Sequence, residues 1–179
     1  MLYVSTITTA APKKFLSPLQ AKVYQTLAQL HLPFERVETD EAITMEDCGA
    51  INAVLKMKMV KTLFLCNHQQ SKFYLFITRG DKPFRAKDFS KALDISRVSF
   101  APAELMQSML GTKVGAATIF SVLLDQSQKV QAVLDKDVTC EPWYGCSDGL
   151  TTSYLKLSTS AVVQEFLPFA GHQPCIIEV

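Results

Sequence analysis

The chain has 179 residues, 48% apolar and 20% charged, a size and balance that fit one folded domain and exclude disorder by composition. Its 18 basic and 17 acidic residues leave a formal charge of +1. That excludes a protein holding nucleic acid mainly through overall charge, though not one with a local basic patch.

The cysteines at 48, 66, 140, 146 and 175 form no CxxC unit, and the histidines at 31, 68 and 172 are scattered. Reduced thiols are expected, with neither a zinc site nor a redox dithiol. The N-terminal stretch lacks a basic leader and a long apolar segment, and no apolar run reaches the ~18 residues of a membrane span. A cytoplasmic location is the expectation.

In chain order, residues 1–16 show no sustained period and read as a loose arm or an added strand. Ser17-Pro18 opens a helix, since Ser can cap and Pro at the first position loses no needed N–H. Leu19, Val23, Leu27 and Leu30 recur at helical spacing until Pro33. Phe34–Thr39 reads as a short strand. Thr44-Met45-Glu46-Asp47 resembles a capping box with Asp in place of Glu, starting a helix to about Lys56. Val60–Cys66 and Phe73–Thr78 flank a polar turn and form a hairpin. Phe84–Leu93 is helical, Arg97–Phe100 a strand, and Pro102 starts a helix through Leu110. Thr118–Leu124 and Val130–Leu134 are expected as a second hairpin. A loop containing Pro142, Gly145 and Gly149 leads into a strand at Thr152–Leu157, then a helix at Thr159–Leu167 and a strand at Cys175–Glu178. Without regular βαβ repetition, the expected fold is α+β, with a mixed, largely antiparallel sheet and packed helices.

Four segments offer chemistry. On its strand Lys61 shares a face with Leu63 and Leu65, while Thr62 and Phe64 point the other way. A lysine against apolar neighbours is drawn to an anionic partner, unless its stem snorkels to water. The stretch Gly111-Thr112-Lys113-Val114-Gly115-Ala116-Ala117 allows close backbone approach to a ligand, or is a helix C-cap at Gly111 followed by a turn. The stretch Trp143 to Thr152 gathers a thiol, hydroxyls and a carboxylate; Cys146 is a nucleophile candidate without an obvious base, and Asp148-Gly149 is also an ordinary turn pair. Residues 79–97 hold six basic and three acidic residues, either a solvated face or a phosphate contact. His172 sits in a C-terminal turn.

Taken in order, several stretches resemble the freestanding prolyl-tRNA editing proteins of the YbaK/ProX deacylase superfamily. They are Lys61-Thr62-Leu63-Phe64-Leu65, Phe73-Tyr74-Leu75, Gly80-Asp81-Lys82-Pro83-Phe84, Ser96 to Ala101, Gly115-Ala116-Ala117-Thr118, Val130 to Asp137, and Phe166-Leu167-Pro168 with Gly171-His172-Gln173-Pro174. The resemblance implies an editing-domain fold over residues 17–179, with 1–16 as an N-terminal arm. It implies a trans-acting aminoacyl-tRNA deacylase that hydrolyses the ester of a small amino acid, alanine or cysteine, on proline tRNA, with no metal or organic cofactor. The implied partner is a mischarged tRNA acceptor end, with prolyl-tRNA synthetase or an elongation factor as candidate protein partners, and neither membrane nor DNA.

Lys61 matches the family's central lysine, which contacts the terminal adenosine and the reacting ester. Gly115 matches the glycine lining the aminoacyl pocket, where its N–H orients the carbonyl. By the same resemblance Thr62, Ala116, Ser147 and Thr151 are substrate-binding, while the local basic patch makes Arg79, Lys82 and Arg85 secondary candidates for acceptor-stem phosphates. The family often has Asn where Thr62 stands, and His-Pro and then Asn where Ser147-Asp148 and Thr151 stand. Ser147, Asp148 or Cys146 is then the substitute for the absent histidine. The alternatives are a non-catalytic tRNA- or aminoacyl-binding module on the same fold, and a Cys146-dependent hydrolase.

Overall fold

The computed structural model describes residues 1–179, the side chain of Met45 excepted. Its elements begin with α1 (Pro18–Gln29), β1 (Glu35–Glu38), α2 (Met45–Leu55), β2 (Val60–Asn67), β3 (Phe73–Arg79), α3 (Ala86–Leu93) and β4 (Val98–Phe100). They continue with α4 (Ala103–Leu105), β5 (Val130–Asp135), α5 (Lys136–Thr139), β6 (Trp143–Ser147), β7 (Ser153–Ser158), α6 (Thr159–Ala161), α7 (Leu167–Phe169) and β8 (Cys175–Ile177).

The expected helix starts form as their residue types dictate. Ser17 Oγ accepts the Gln20 N–H at 3.0 Å, and Pro18 occupies the first turn. Thr44 and Asp47 make the reciprocal capping box on α2.

Two sheets result. The expected mixed sheet has five strands in the order β4-β2-β3-β5-β8, with β2 antiparallel to β3 and β4, and β5 parallel to β3 and β8. A second, antiparallel sheet has the order β1-β7-β6. A parallel bridge between Met59 and Gly145 joins them.

The N-terminal residues take the added-strand course. Val4 and Thr8 bridge to Thr39 and Arg36, and the buried Arg36 guanidinium donates to Ala10 O at 2.7 Å. Among the described residues no helix is long and apolar enough to cross a membrane.

The larger sheet is covered on both faces. Phe64, Cys66, Leu75, Ile77, Ala132 and Leu134 face a core shared with α1, the segment 119–124, and Tyr144, Cys146, Leu155 and Leu157 of the smaller sheet. Leu65, Tyr74, Phe76 and Val133 face the other way, onto Phe89 of α3. A third cluster packs Ile51 and Leu55 of α2 against Val37 and Tyr154 of the smaller sheet.

Three expectations are corrected. Thr118–Leu124 is not a hairpin strand: Ile119–Leu124 is a 3-10 helix whose N-cap is Thr118. An apolar run buried on several sides has no period that separates helix from strand, and β5 pairs in parallel with β3 instead. Trp143–Ser147 is not a loop but β6, paired with β7: Trp143 and Tyr144 favour a strand, and the pairing carries it on through Gly145, which by itself marks a turn. The helices expected at 102–110 and 159–167 are interrupted by π turns at Met106–Leu110 and Val162–Phe166. The C-cap at Gly111 stands, with φ +67°.

Phe89 is buried, and its ring centroid lies 4.9 Å from Phe76 and 5.8 Å from Tyr74. Phe89→Ala is expected to lower stability by about 3–5 kcal/mol, read by urea unfolding, because the strands beneath cannot collapse into the void.

Candidate active site

The loop before the 3-10 helix and the β6–β7 turn meet at one end of the smaller sheet. Ser147, the last residue of β6, is buried; its Oγ donates to the Ala116 carbonyl at 3.0 Å and accepts the Gly149 N–H at 3.3 Å. Gly115, one residue before, is exposed with φ +91°, a left-handed conformation that glycine adopts without a Cβ penalty. A Cβ there would meet only Thr151 Cγ2, at 4.0 Å, so backbone conformation rather than crowding requires the glycine. Among the described residues no acceptor meets the Gly115 N–H. Thr151 is fixed by its carbonyl, which accepts the Ala42 N–H at 3.0 Å and the Tyr154 hydroxyl at 3.1 Å. The structure thus brings together Gly115, Ala116, Ser147 and Thr151.

Lys61 lies elsewhere. It pairs with Thr78 across β2 and β3, and strand alternation sends its side chain to the α3 face, with Leu63 and Leu65. There its ammonium donates to the Lys82 carbonyl. Thr62, half-buried, is turned to the opposite face, whose core includes Phe64, Phe120 and Cys146. Of the neighbouring pair, Thr62 therefore faces the side of the Gly115 cluster.

The cations read as phosphate contacts are largely occupied. Lys82 Nζ lies 2.9 Å from Asp135 and 2.9 Å from Asp137, and the Thr78 hydroxyl donates to Asp135 at 2.7 Å. Partial burial opposes the Lys82 charge, but the bonds and charges of the two carboxylates prevail and raise its pKa. Arg79 forks onto Asp81 at 3.0 and 2.7 Å. Arg85 is exposed, and among the described residues no carboxylate pairs with it.

A buried carboxylate network went unread in the sequence. Asp148 Oδ2 accepts from Gln20 Nε2 at 2.9 Å, the Tyr24 hydroxyl at 2.7 Å and Ser153 Oγ at 2.6 Å. Asp148 is 0% exposed. Burial raises its pKa, and bonds from Gln20, Ser153, Tyr24 and the Leu150 N–H counter that rise. The sequence held one signal for this network: Gln20 and Tyr24, four residues apart on the buried face of α1, need a polar partner there.

Cys146 is buried and its pKa is pushed up to about 12 by that burial. A neutral thiol sealed in the core is no nucleophile. His172 is also remote from both clusters. It is buried 3.6 Å from Asp125, whose carboxylate accepts the Lys129 and Val130 N–H groups. A groove of about 560 Å³ lies beside it, lined by Lys72, Gln128, Lys129, Gln131 and Gln173. That groove contains none of the expected site residues, so side-chain chemistry rather than cavity size locates the candidate site.

With this fold and site in view, the comparisons with known proteins agree. The aminoacyl-tRNA editing domain matches residues 39–164, and the chain belongs to that family. It is similar to the prolyl-tRNA editing protein ProX of Acetoanaerobium sticklandii, 28% identical over 116 residues, covering 65% of this chain and 71% of the relative. It is also similar to the prolyl-tRNA synthetase associated domain-containing protein 1 of Danio rerio, 25% identical over 167 residues, covering 89% and 86%. Among solved structures it shares its fold with a candidate trans-editing enzyme for prolyl tRNA synthetase, at TM-score 0.65 and 18% identity, covering 92% of this chain and 99% of the other. A hypothetical protein aligns at TM-score 0.67 and 17% identity, covering 87% and 98%.

The raised pKa of Asp148 gives stability a sign with pH. The folded state holds that proton more tightly than the unfolded chain. The contribution is therefore complete below the ordinary value of 3.8 and is lost as pH rises through the raised pKa. Urea unfolding from about pH 4 to neutrality is expected to show this falling component, and Asp148→Asn to remove it. Asp47, Asp81 and Asp137 have lowered pKa values, the first through N–H bonds from Thr44 and Ile43 and the others through Arg79 and Lys82. They act below that window, with stability lost as pH falls.

Proposed function

We propose that the chain is a trans-acting aminoacyl-tRNA deacylase that removes a small amino acid, alanine or cysteine, from proline tRNA. The observation that carries this reading is the grouping of Gly115, whose N–H meets no acceptor among the described residues, with Ala116, Ser147 and Thr151; these residues are the proposed aminoacyl pocket. An aminoacyl ester is already activated, so placement of a water and stabilisation of the developing oxyanion are the main requirements. In the proposed step water adds to the ester carbonyl carbon while the Gly115 N–H donates to its oxygen. The bond from that carbon to the ribose oxygen then breaks. The ribose oxygen leaves with a proton as the hydroxyl, and the amino acid departs as its carboxylate with release of one proton.

Lys61 is assigned to the terminal adenosine, which requires its ammonium to exchange the Lys82 carbonyl for the substrate. The small side chain of Ala116 and the braced Ser147 give the pocket a fixed wall, and a fixed wall rejects a bulkier cognate residue by size. The names of the similar proteins support proline tRNA as the carrier.

One observation favours the non-catalytic alternative. Ser147 and Asp148 stand where a histidine is expected, and both are committed to bonds within the chain. That reading requires binding of the tRNA, weakened by salt, without ester hydrolysis.

Wild type is expected to release alanine or cysteine from mischarged proline tRNA, and Lys61→Ala to lower kcat/KM by about 10-fold or more, chiefly through KM, the scale of losing one charged contact to the bound adenosine. No turnover by wild type on alanyl-, cysteinyl- or seryl-tRNA of the proline acceptor overturns the deacylase reading. For tRNA binding, Arg85→Ala is expected to reduce the slope of log affinity against log salt by about 1. Arg79→Ala should change it less, since Asp81 already neutralises that guanidinium.

A further inference from the structure

The β6–β7 turn carries two walls of the proposed pocket; backbone bonds tie its outer end to Thr39 and Ala42, and its placement on α1 is set separately. Gly149, at φ +104°, sits against Leu19 of α1 so closely that a Cβ would lie 2.9 Å from Leu19 Cδ2. The turn is therefore seated on the Leu19 side chain in the first turn of α1, with no side chain of its own at that point. Apolar contact sets how near the two elements come, but it leaves sliding and rotation unspecified.

A polar clasp supplies what the contact lacks. A single carboxylate oxygen, Asp148 Oδ2, receives donors from two elements far apart in sequence: Gln20 and Tyr24 from α1, and Ser153 from the start of β7. Gln20 extends the clasp outward, because its Oε1 accepts the Leu16 N–H at 2.8 Å. Tyr24 is wedged between Phe15, stacked at 5.9 Å, and Phe34, edge-on at 5.5 Å. The acceptor lies one residue from Ser147, which grips the Ala116 carbonyl, and three from Thr151, which faces Gly115. Hydrogen bonds to a buried charged acceptor are the strong, directional kind.

We infer that Asp148 is a positioning residue for specificity: by clasping α1 to β7 it fixes the turn bearing Ser147 and Thr151, and so sets the width of the aminoacyl pocket. This inference rests on the proposed assignment of the Gly115 cluster as that pocket. Asp148 touches no substrate. It acts through Ser147 and Thr151, and releasing it lets the turn move on α1 so that the pocket admits a larger residue.

The test compares kcat/KM on alanyl- and prolyl-tRNA of the proline acceptor for wild type, Asp148→Ala, Tyr24→Phe, Ser153→Ala and Asp148→Asn, each checked by thermal melting. Asp148→Ala is expected to cut the alanyl-to-prolyl ratio by at least about 10-fold, the scale of discrimination that a size-selecting pocket supplies. Tyr24→Phe and Ser153→Ala each remove one donor and keep the carboxylate, so they should reduce the ratio less. Asp148→Asn keeps an acceptor and should restore most of it. A merely structural role would lower activity on both substrates together and leave the ratio unchanged.

If Asp148→Ala fails to fold, the two donor variants decide. An unchanged ratio in every folded variant, with wild type active, overturns the inference and leaves the deacylase reading intact. If wild type shows no turnover, that reading fails and amide hydrogen exchange judges the clasp. Faster exchange at 149–151 in Tyr24→Phe supports it, and unchanged exchange overturns it.

Discussion

Strands β3 and β5 bury side chains on both of their faces, and a strand without a solvent face can exist only beneath cover on each side. α1, the 3-10 helix and the smaller sheet cover one face, and α3 covers the other. The two faces have different consequences. Side chains of even and odd parity along β2 enter different cores, so the neighbours Lys61 and Thr62 belong to separate environments. Lys61 joins a charged cluster with Lys82, Asp135 and Asp137, and Thr62 turns toward the side of the Gly115 cluster.

The candidate site is made where coverage stops. Loops 111–118 and 147–152 lie at the margin of the smaller sheet, where backbone groups can be left for a ligand without being buried unpaired. Ser147 shows how closely this is arranged: one hydroxyl donates to the Ala116 carbonyl and accepts from Gly149, joining the two loops through a single atom. Asp148, next along, is sealed below. In this member of the aminoacyl-tRNA editing family the 147–151 turn therefore carries a buried carboxylate bonded to both α1 and β7.

Legibility in the sequence followed the range of the forces involved. Ser17-Pro18, the Thr44–Asp47 capping box and the Gly111 cap act within one helical turn, and all three were readable. The hairpin of β2 and β3 was readable because a polar turn separates two apolar runs. β6 was not, since Gly145 and the turn formers around it mask the strand preference of Trp143 and Tyr144, and the pairing with β7 and the bridge to Met59 come from distant segments. The 3-10 helix was misread because a fully buried run has no polar face to betray its period. In the site, Gly115 was legible as a small residue in a loop, but the engagement of Lys82 and Arg79 by carboxylates was not, because Asp135 and Asp137 lie more than fifty residues from Lys82.

By itself the sequence determined the α+β class, the main helix starts, the parity of β2 and, through its ordered motifs, the resemblance to an editing domain. Each of these depends on nearest-neighbour chemistry or on the order of residue types. Only the tertiary structure decided which candidates share a site. It gathered Gly115, Ala116, Ser147 and Thr151, set Lys61 on the other face of the sheet, and buried Asp148 under donors from α1 and β7. The physical reason is that a hydrogen bond or ion pair forms wherever the fold brings its two groups within about 3 Å, and residues distant in the chain carry no local mark of that approach.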